Sequence, residues 1–316
     1  MRHLVFGILL VLTGSSCSAW SPSGHHVVAV LAAELMPTDV RAEVFRILKE
    51  HPDWDRYFRP PSSIAGNAGS AARWQFGIAG CWPDMVRGTD ADRPMWHYRL
   101  GATMVLGDAK LPRKPPQLRP TDTLETKELY ITAATRLCIR VFSDRSSSDA
   151  DRAVALCWLL HLYADGHQPC HAGSLYCPAF PTGDRGANAI PLVDGNLHSS
   201  WDRLLGNRAD ANEIRRRVSE LGDVRAQYRS IANEGGGAWL MPETWLAESV
   251  RYGRTHVYTD EVLQPVVAAS RGMTGGIPKL KLSTTYFQNA GEVARERAKL
   301  AGYRLALLLT LCVRRE

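Results

Sequence analysis

Four residues, one helical turn, separate His161 from Asp165, so a helix carries the imidazole and the carboxylate on one face. Pro169 should end that helix, and His171 follows just beyond it. Two imidazoles and a carboxylate converging at a helix end suit a zinc ion, which takes nitrogen and oxygen ligands at about 2.0–2.2 Å. A lone His-x-x-x-Asp is more often a solvated or core-satisfied pair. Here the spacing recurs downstream as His198-Ser199-Ser200-Trp201-Asp202. His25, Asp84 and His97 stand in equally unusual local settings, and removal of a leader before Trp20 would add that residue's α-amino group. These eight side chains and one terminus are too many for a single tetrahedral zinc. They match three sites if one carboxylate bridges and water fills the open positions.

Helices must position these groups. Ser148 is the expected cap of a strongly apolar helix over Arg152–Asp165, the central one. An amphipathic helix is expected from Gly24 to about Met36, with His26 on its surface or behind the ligands, and a second from Asp39, as cap, to about Glu50. His51 to Gly69 reads as loop, Arg73–Ala79 as a short helix, and Thr123–Phe142 as a longer one. Further helices are expected at Leu197–Leu205, Ala211–Leu221, Val224–Glu234, Pro242–Tyr258 and Tyr286–Val313. Alternation of the strand type is confined to Thr103–Leu106 and Ile190–Val193. The expected fold is all-α, a single mainly helical domain with the metal site in a cleft.

Residues 1–19 read as a secretory signal. Arg2 and His3 precede an apolar run from Leu4 to Leu12, too short to span a bilayer, and Cys17 and Ala19 stand at the small-residue cleavage positions. Cleavage after Ala19 leaves a mature domain over 20–316 that begins with Trp20, secreted or periplasmic, without stable membrane association. Lipid attachment at Cys17 is the alternative. Cleavage leaves Cys81, Cys138, Cys157, Cys170, Cys177 and Cys312, and Cys170–Cys177 is the local disulfide candidate in an exported chain. A formal charge of +6 favours an acidic partner such as nucleic acid or an anionic surface, although the cations are dispersed.

The chain resembles the single-strand-specific zinc nucleases of fungi and plants, a family related to bacterial zinc-dependent phospholipase C. The resemblance runs over nearly the whole mature chain. It rests on Trp20 with Gly24-His25, Trp82-x-Asp84-x-x-Arg87, Trp96-His97-Tyr98, and His161-x-x-x-Asp165-x-His167-Gln168-Pro169-x-His171. It continues through Gly183-Asp184-Arg185-Gly186-x-Asn188, Asn196-Leu197-His198-x-x-Trp201-Asp202, Trp245-x-x-Glu248-Ser249 and Leu300-Ala301-Gly302-x-Arg304. The chain departs from the family pattern at Ser21, Leu100, Cys170 and Ala187.

The resemblance implies three zincs per chain. Asp84, His97, His161 and Asp165 would hold the first, and His171, His198 and Asp202 the second. The amino nitrogen and carbonyl oxygen of Trp20, His25 and the bridging Asp165 would hold the third. It also implies a monomeric endonuclease that hydrolyses single-stranded DNA and RNA to 5′-phosphorylated products, with 3′-nucleotidase activity. Asp84 and Arg87 would be catalytic, orienting the attacking water and clamping phosphate. Tyr98 would stack a base, Asn188 would contact substrate, and His167 would orient ligands. Phospholipase C is the runner-up, disfavoured by Asp202 where the phospholipases place Glu. A non-catalytic secreted zinc-binding protein is the alternative of another class.

Overall fold

The computed structural model describes residues 20–222, 224–234 and 237–314, so the leader expected over 1–19 lies outside the described residues. The chain opens with α1 (Pro22–Leu35) and α2 (Thr38–Lys49), then two single turns, α3 (Trp54–Tyr57) and α4 (Ser62–Ala65), and the long α5 (Ala68–Met85). After β1 (Ala102–Val105) come α6 (Ile131–Ser143) and α7 (Asp149–His167). The short strands β2 (Ser174–Tyr176), β3 (Pro191–Leu192) and β4 (Gly195–Asn196) lead into α8 (Leu197–Asp202), α9 (Ala211–Ser219) and α10 (Val224–Glu234). The chain closes with α11 (Pro242–Tyr252), α12 (Asp260–Ser270) and α13 (Thr284–Arg314).

α7 is the axis. Ser148 caps it by accepting from the Asp151 amide. Every residue from Ala155 to His167 is buried, and α1, α2, α5, α6, α11 and α13 pack around it. A helix that is mostly apolar on every face belongs inside a core. α1 behaves the same way: Ser23 through Ala33 are all buried, so this helix is not amphipathic and His26 does not lie at its surface. Its small Ala and Val side chains let α5, α7 and α13 approach on several sides.

Three boundaries depart from the sequence reading. α2 starts at Thr38 after Pro37, and Asp39 sits in its first turn, where a carboxylate faces the positive end of the helix dipole. α5 is much longer than expected. Asn67 caps it through Ser70 N at 2.8 Å, and it continues through Pro83, which lies inside the helix instead of ending it. Asp84 therefore sits on a helical turn. α6 begins only at Ile131, because the stretch before it is tied into turns by Asp122, whose carboxylate accepts from the Arg119 amide at 2.7 Å. α12, which contains Pro265, has no counterpart among the expected helices.

β1 and β2 pair in parallel, with Met104 opposite Leu175 and Val105 opposite Tyr176. β3 and β4 form an antiparallel hairpin. A large core gathers around Trp20, Trp96 and Trp158, and a second, smaller one around Leu175, Trp201 and Tyr286. The bridge expected between Cys170 and Cys177 is absent, and both are buried thiols. Cys170 lies in the turn after α7, where its amide donates to Gln168 Oε1, while Cys177 Sγ accepts from Ser270 Oγ.

Candidate metal centre and active site

α7 lays His161 and Asp165 one turn apart, both fully buried. The next residue must be glycine, because a Cβ at Gly166 would lie 1.8 Å from Cζ3 of Trp245. With no side chain there, α11 closes onto the helix, and Ser249 Oγ donates to the Gly166 carbonyl at 2.7 Å. A 3₁₀ turn, Pro169–Ala172, then delivers His171, whose Nδ1 donates to the His97 carbonyl at 2.7 Å. α1 brings His25 flat against His161, with ring centroids 4.0 Å apart and planes within 7°. α5 supplies Asp84 from its last turn. α8 supplies His198 and Asp202, again one turn apart.

These side chains converge. His25, His161 and Asp165 form one metal-competent group; Asp84, His97 and His161 a second; His171, His198 and Asp202 a third. Within each group the ligand atoms lie within 4.8 Å of one another. Asp165 divides its oxygens between neighbours. Oδ1 is 3.4 Å from His25 Nε2, whereas Oδ2 is 3.0 Å from His97 Nδ1 and 3.1 Å from His161 Nε2. Asp84 stands 3.9 Å from each of these three imidazoles. The indole of Trp20 donates to the Ala164 carbonyl at 2.9 Å, and the amide of Ser21 donates to the Asp202 carbonyl at 2.9 Å. The main chain at residue 20 is thereby pinned between the turns that carry Asp165 and Asp202.

The protonation states favour cation binding. Burial holds His25, His97 and His171 well below the usual imidazole range and lowers His198 to about 4. Burial also pushes Asp165 up to about 6 and Asp202 well above the usual carboxylate range. For His161 burial opposes the charged form, but Asp165 and Asp84 outweigh it and raise the pKa. Neutral imidazoles are the ligand form of histidine, and carboxylates buried this way ionise when a cation joins them.

One contact tests the fit directly. A carbonyl only accepts, so His171 Nδ1 must donate to His97 O, and His198 Nδ1 must donate to Gly186 O at 2.5 Å. Both rings then present lone pairs at Nε2, and these face each other across 3.1 Å. Two lone pairs so placed repel unless a cation lies between them. The unpartnered His25 Nε2, His97 Nε2 and Asp165 Oδ1 add further buried donor atoms without hydrogen bonds. Imidazole nitrogens with carboxylate oxygens form a donor set suited to zinc.

Around this centre the remaining expected residues take distinct places. Arg87 donates to Asp84 Oδ1 at 2.8 Å from one turn further along. Tyr98 stacks on His171, with centroids 4.7 Å apart and planes 21° apart. Asn188 donates to the Arg185 carbonyl at 2.8 Å. Tyr98, His171 and Asn188 line one cavity of about 500 Å³, together with Tyr130, Tyr176 and Arg185. Among the described residues, the His167 ring makes no hydrogen bond to any metal-competent side chain. Its Nδ1 donates to the Tyr163 carbonyl at 2.7 Å, its Nε2 accepts from Arg304 at 2.8 Å, and Arg304 is paired with Glu248. His167 thus braces the end of α7.

Sequence reasoning missed Tyr130 and Tyr176, which carry no local signal and reach the cavity only through the fold. It also missed the role of Gln168, whose side chain donates to Asp202 Oδ1 at 2.8 Å. Its place between Asp165 and His171 was the available clue.

The model of the S1/P1 nuclease family matches residues 20–314. The chain belongs to the S1/P1 nuclease family. It is similar to Endonuclease 1 of Arabidopsis thaliana, with 24% identity over 319 residues that cover 97% of this chain and 91% of the relative. It is also similar to Endonuclease 4 of the same plant, with 23% identity over 328 residues covering 96% and 93%. This S1/P1 nuclease is accordingly a hydrolase acting on phosphoester bonds, in a family whose members depend on zinc. Neither the phospholipase nor the non-catalytic alternative is needed.

Proposed function

We propose that this S1/P1 nuclease is an exported, three-zinc enzyme that cleaves single-stranded DNA and RNA to 5′-phosphorylated products and removes 3′-phosphates from nucleotides. The observation that carries this reading is the tyrosine-lined cavity reaching His171, one of the imidazoles whose lone pairs face each other. A cavity of about 500 Å³ walled by Tyr98, Tyr130 and Tyr176 suits an unstacked base. A base held in a duplex cannot enter it without flipping.

Asp84, His97, His161 and Asp165 would hold one zinc, and His171, His198 and Asp202 a second. His25, Asp165 and the amino nitrogen and carbonyl oxygen of Trp20 would hold the third. Bound zinc supplies Lewis acidity toward phosphoryl oxygens and lowers the pKa of water toward about 7. Asp84 orients the attacking water by accepting its proton in a hydrogen bond. Arg87, held by Asp84, turns its planar guanidinium to the phosphoryl oxygens and stabilises the charge that develops there. Tyr98 positions the base by stacking, and Asn188 contacts the nucleotide at the cavity wall. The apolar run before Ala19 supports export, and the family match beginning at Trp20 agrees with cleavage there. Among the described residues, no helix is long and apolar enough to cross a membrane.

The test is one parallel assay. Chain beginning at Trp20 is incubated with single-stranded DNA, RNA, duplex DNA and phosphatidylcholine, with and without chelator. Chelator-sensitive cleavage of the single strands, leaving 5′-phosphate ends, is expected, with duplex cut slowly. Equal rates on duplex and single strand would overturn the proposed selectivity.

A further inference from the structure

Between β1 and the turns before α6, residues 107–120 form an extended strap without helix or strand. Its sequence, Gly107-Asp108-Ala109-Lys110-Leu111-Pro112-Arg113-Lys114-Pro115-Pro116-Gln117-Leu118-Arg119-Pro120, places four cations among four prolines. Proline fixes φ and favours the polyproline conformation, so the strap resists collapse, and Lys110 to Lys114 spans about 12 Å at ~3.1 Å per residue. Lys110, Arg113 and Lys114 are exposed. Arg119 is spoken for, because it pairs with Asp122 at 2.9 Å. Among the described residues, no carboxylate lies within salt-bridge distance of Lys110, Arg113 or Lys114.

The N-terminal end of the strap is fastened to a wall of the tyrosine-lined cavity, and its C-terminal end to α6. Leu106, just before it, donates its amide to the Tyr176 carbonyl at 2.8 Å. Beyond it, Arg140 of α6 donates to the Arg119 carbonyl at 3.3 Å, and the Ile131 amide donates to the Tyr98 carbonyl at 3.1 Å. Tyr98, Tyr130 and Tyr176 all line the cavity, so the strap leaves from one of its walls and rejoins the fold at α6, the helix whose first residue is bonded to another. Arg99 and Arg185 also line it, and its lining contains no carboxylate.

Resting on the single-strand reading above, we infer that Lys110, Arg113 and Lys114 bind backbone phosphates of the strand that continues out of the cavity. The strap is a sequence-independent extension of the substrate site. It serves polynucleotides and is idle for a dinucleotide, which ends inside the cavity. Phosphate neutralisation gives such binding a steep salt dependence, with a slope of about −0.7 per phosphate for single strands.

The test is the triple variant Lys110→Gln, Arg113→Gln, Lys114→Gln. Binding of a fluorescent, cleavage-resistant thiophosphate oligothymidylate to the zinc-loaded protein is followed by anisotropy between about 50 and 200 mM salt. Loss of three contacts flattens the log–log slope by about 2, so the wild type loses roughly 20-fold more affinity than the variant over that range. The variant also binds more weakly at low salt, and its kcat/KM falls on the long strand while that on a thymidylyl dinucleotide holds. A swap that keeps charge, Lys110→Arg, Arg113→Lys, Lys114→Arg, retains wild-type behaviour and guards against mere disruption of the strap. An unchanged slope would overturn the inference, as would an equal loss on the dinucleotide. So would retained strand binding with lost binding to phosphatidylserine-containing vesicles, which would make the strap a membrane contact. Failure of the wild type to cut either substrate, with strand binding intact, would instead count against the reading of the catalytic site.

Discussion

Nε2 of His25 stands 3.4 Å from Oδ1 of Asp165, and the other oxygen of that carboxylate is given to His97 and His161. One carboxylate thus faces imidazoles from two different metal-competent groups. A bridging ligand has this disposition, and its removal touches both metals. Asp165→Asn is expected to lower bound zinc by more than one equivalent per chain and to abolish nuclease activity, as read by elemental analysis alongside a strand-cleavage assay. Retention of full zinc content would remove the bridging role.

On the proposed assignment the amino group of Trp20 can ligate zinc only when it is free, since an amide nitrogen shares its lone pair with the carbonyl. Protein carrying a single extra Met before Trp20 is expected to fold, to hold about two zincs through side chains alone, and to lose several orders of magnitude in activity. Wild-type zinc content and rate in that extended form would exclude the amino terminus from the site. A C-terminal tag serves as the harmless control.

Tyr98 covers His171 with one face of its ring, leaving stacking on the other face as its expected contact with a base. Stacking contributes about 1–3 kcal/mol per base, so Tyr98→Ala should raise KM about 10- to 100-fold, with Tyr98→Phe close to wild type. Zinc content measured on the same samples should not change. An unmoved KM for oligonucleotides would put the base elsewhere.

Gly166 lets Trp245 lie across α7 directly beside Asp165. Adding a methyl group at 1.8 Å from the indole forces one of two well-packed helices to move, at a typical cost of 1–3 kcal/mol. Gly166→Ala should therefore lower Tm by a few degrees, roughly 2 °C per kcal/mol for a chain somewhat longer than 150–250 residues. Because the displaced turn carries Asp165, zinc affinity should fall as well. Calorimetry that shows no destabilisation would mean that the α7–α11 contact is looser than described.

The site was more legible in the sequence than the scaffold around it. His161 with Asp165 and His198 with Asp202 could be read because a one-turn spacing is local, and local geometry survives in any helix. The helix before Asp84 was legible only over Arg73–Ala79, whereas α5 runs from Ala68 through Pro83 to Met85 and carries Asp84 itself. α1 was expected to show one polar face, but α5, α7, α9 and α13 bury it. Of the cavity only Tyr98, His171 and Asn188 were legible; its walls at Tyr130 and Tyr176 were not. The cavity depends on β1 pairing in parallel with β2, about seventy residues away, where no short-range pattern reports which tyrosines will meet. The disulfide failed for a related reason: spacing permits a bridge, but the turn after α7 ties the main chain of Cys170 to Gln168, and Cys177 Sγ accepts from Ser270 instead.

The three-zinc assignment is the centre of this account, and anomalous X-ray diffraction at the zinc edge tests it most directly. Crystals of protein beginning at Trp20 should give three zinc peaks per chain. One should lie between His171 Nε2 and His198 Nε2, and the other two on opposite oxygens of Asp165, with the amino nitrogen of Trp20 against the peak nearest His25. Two peaks or fewer at full zinc loading, or Asp165 bound to a single metal, would contradict it.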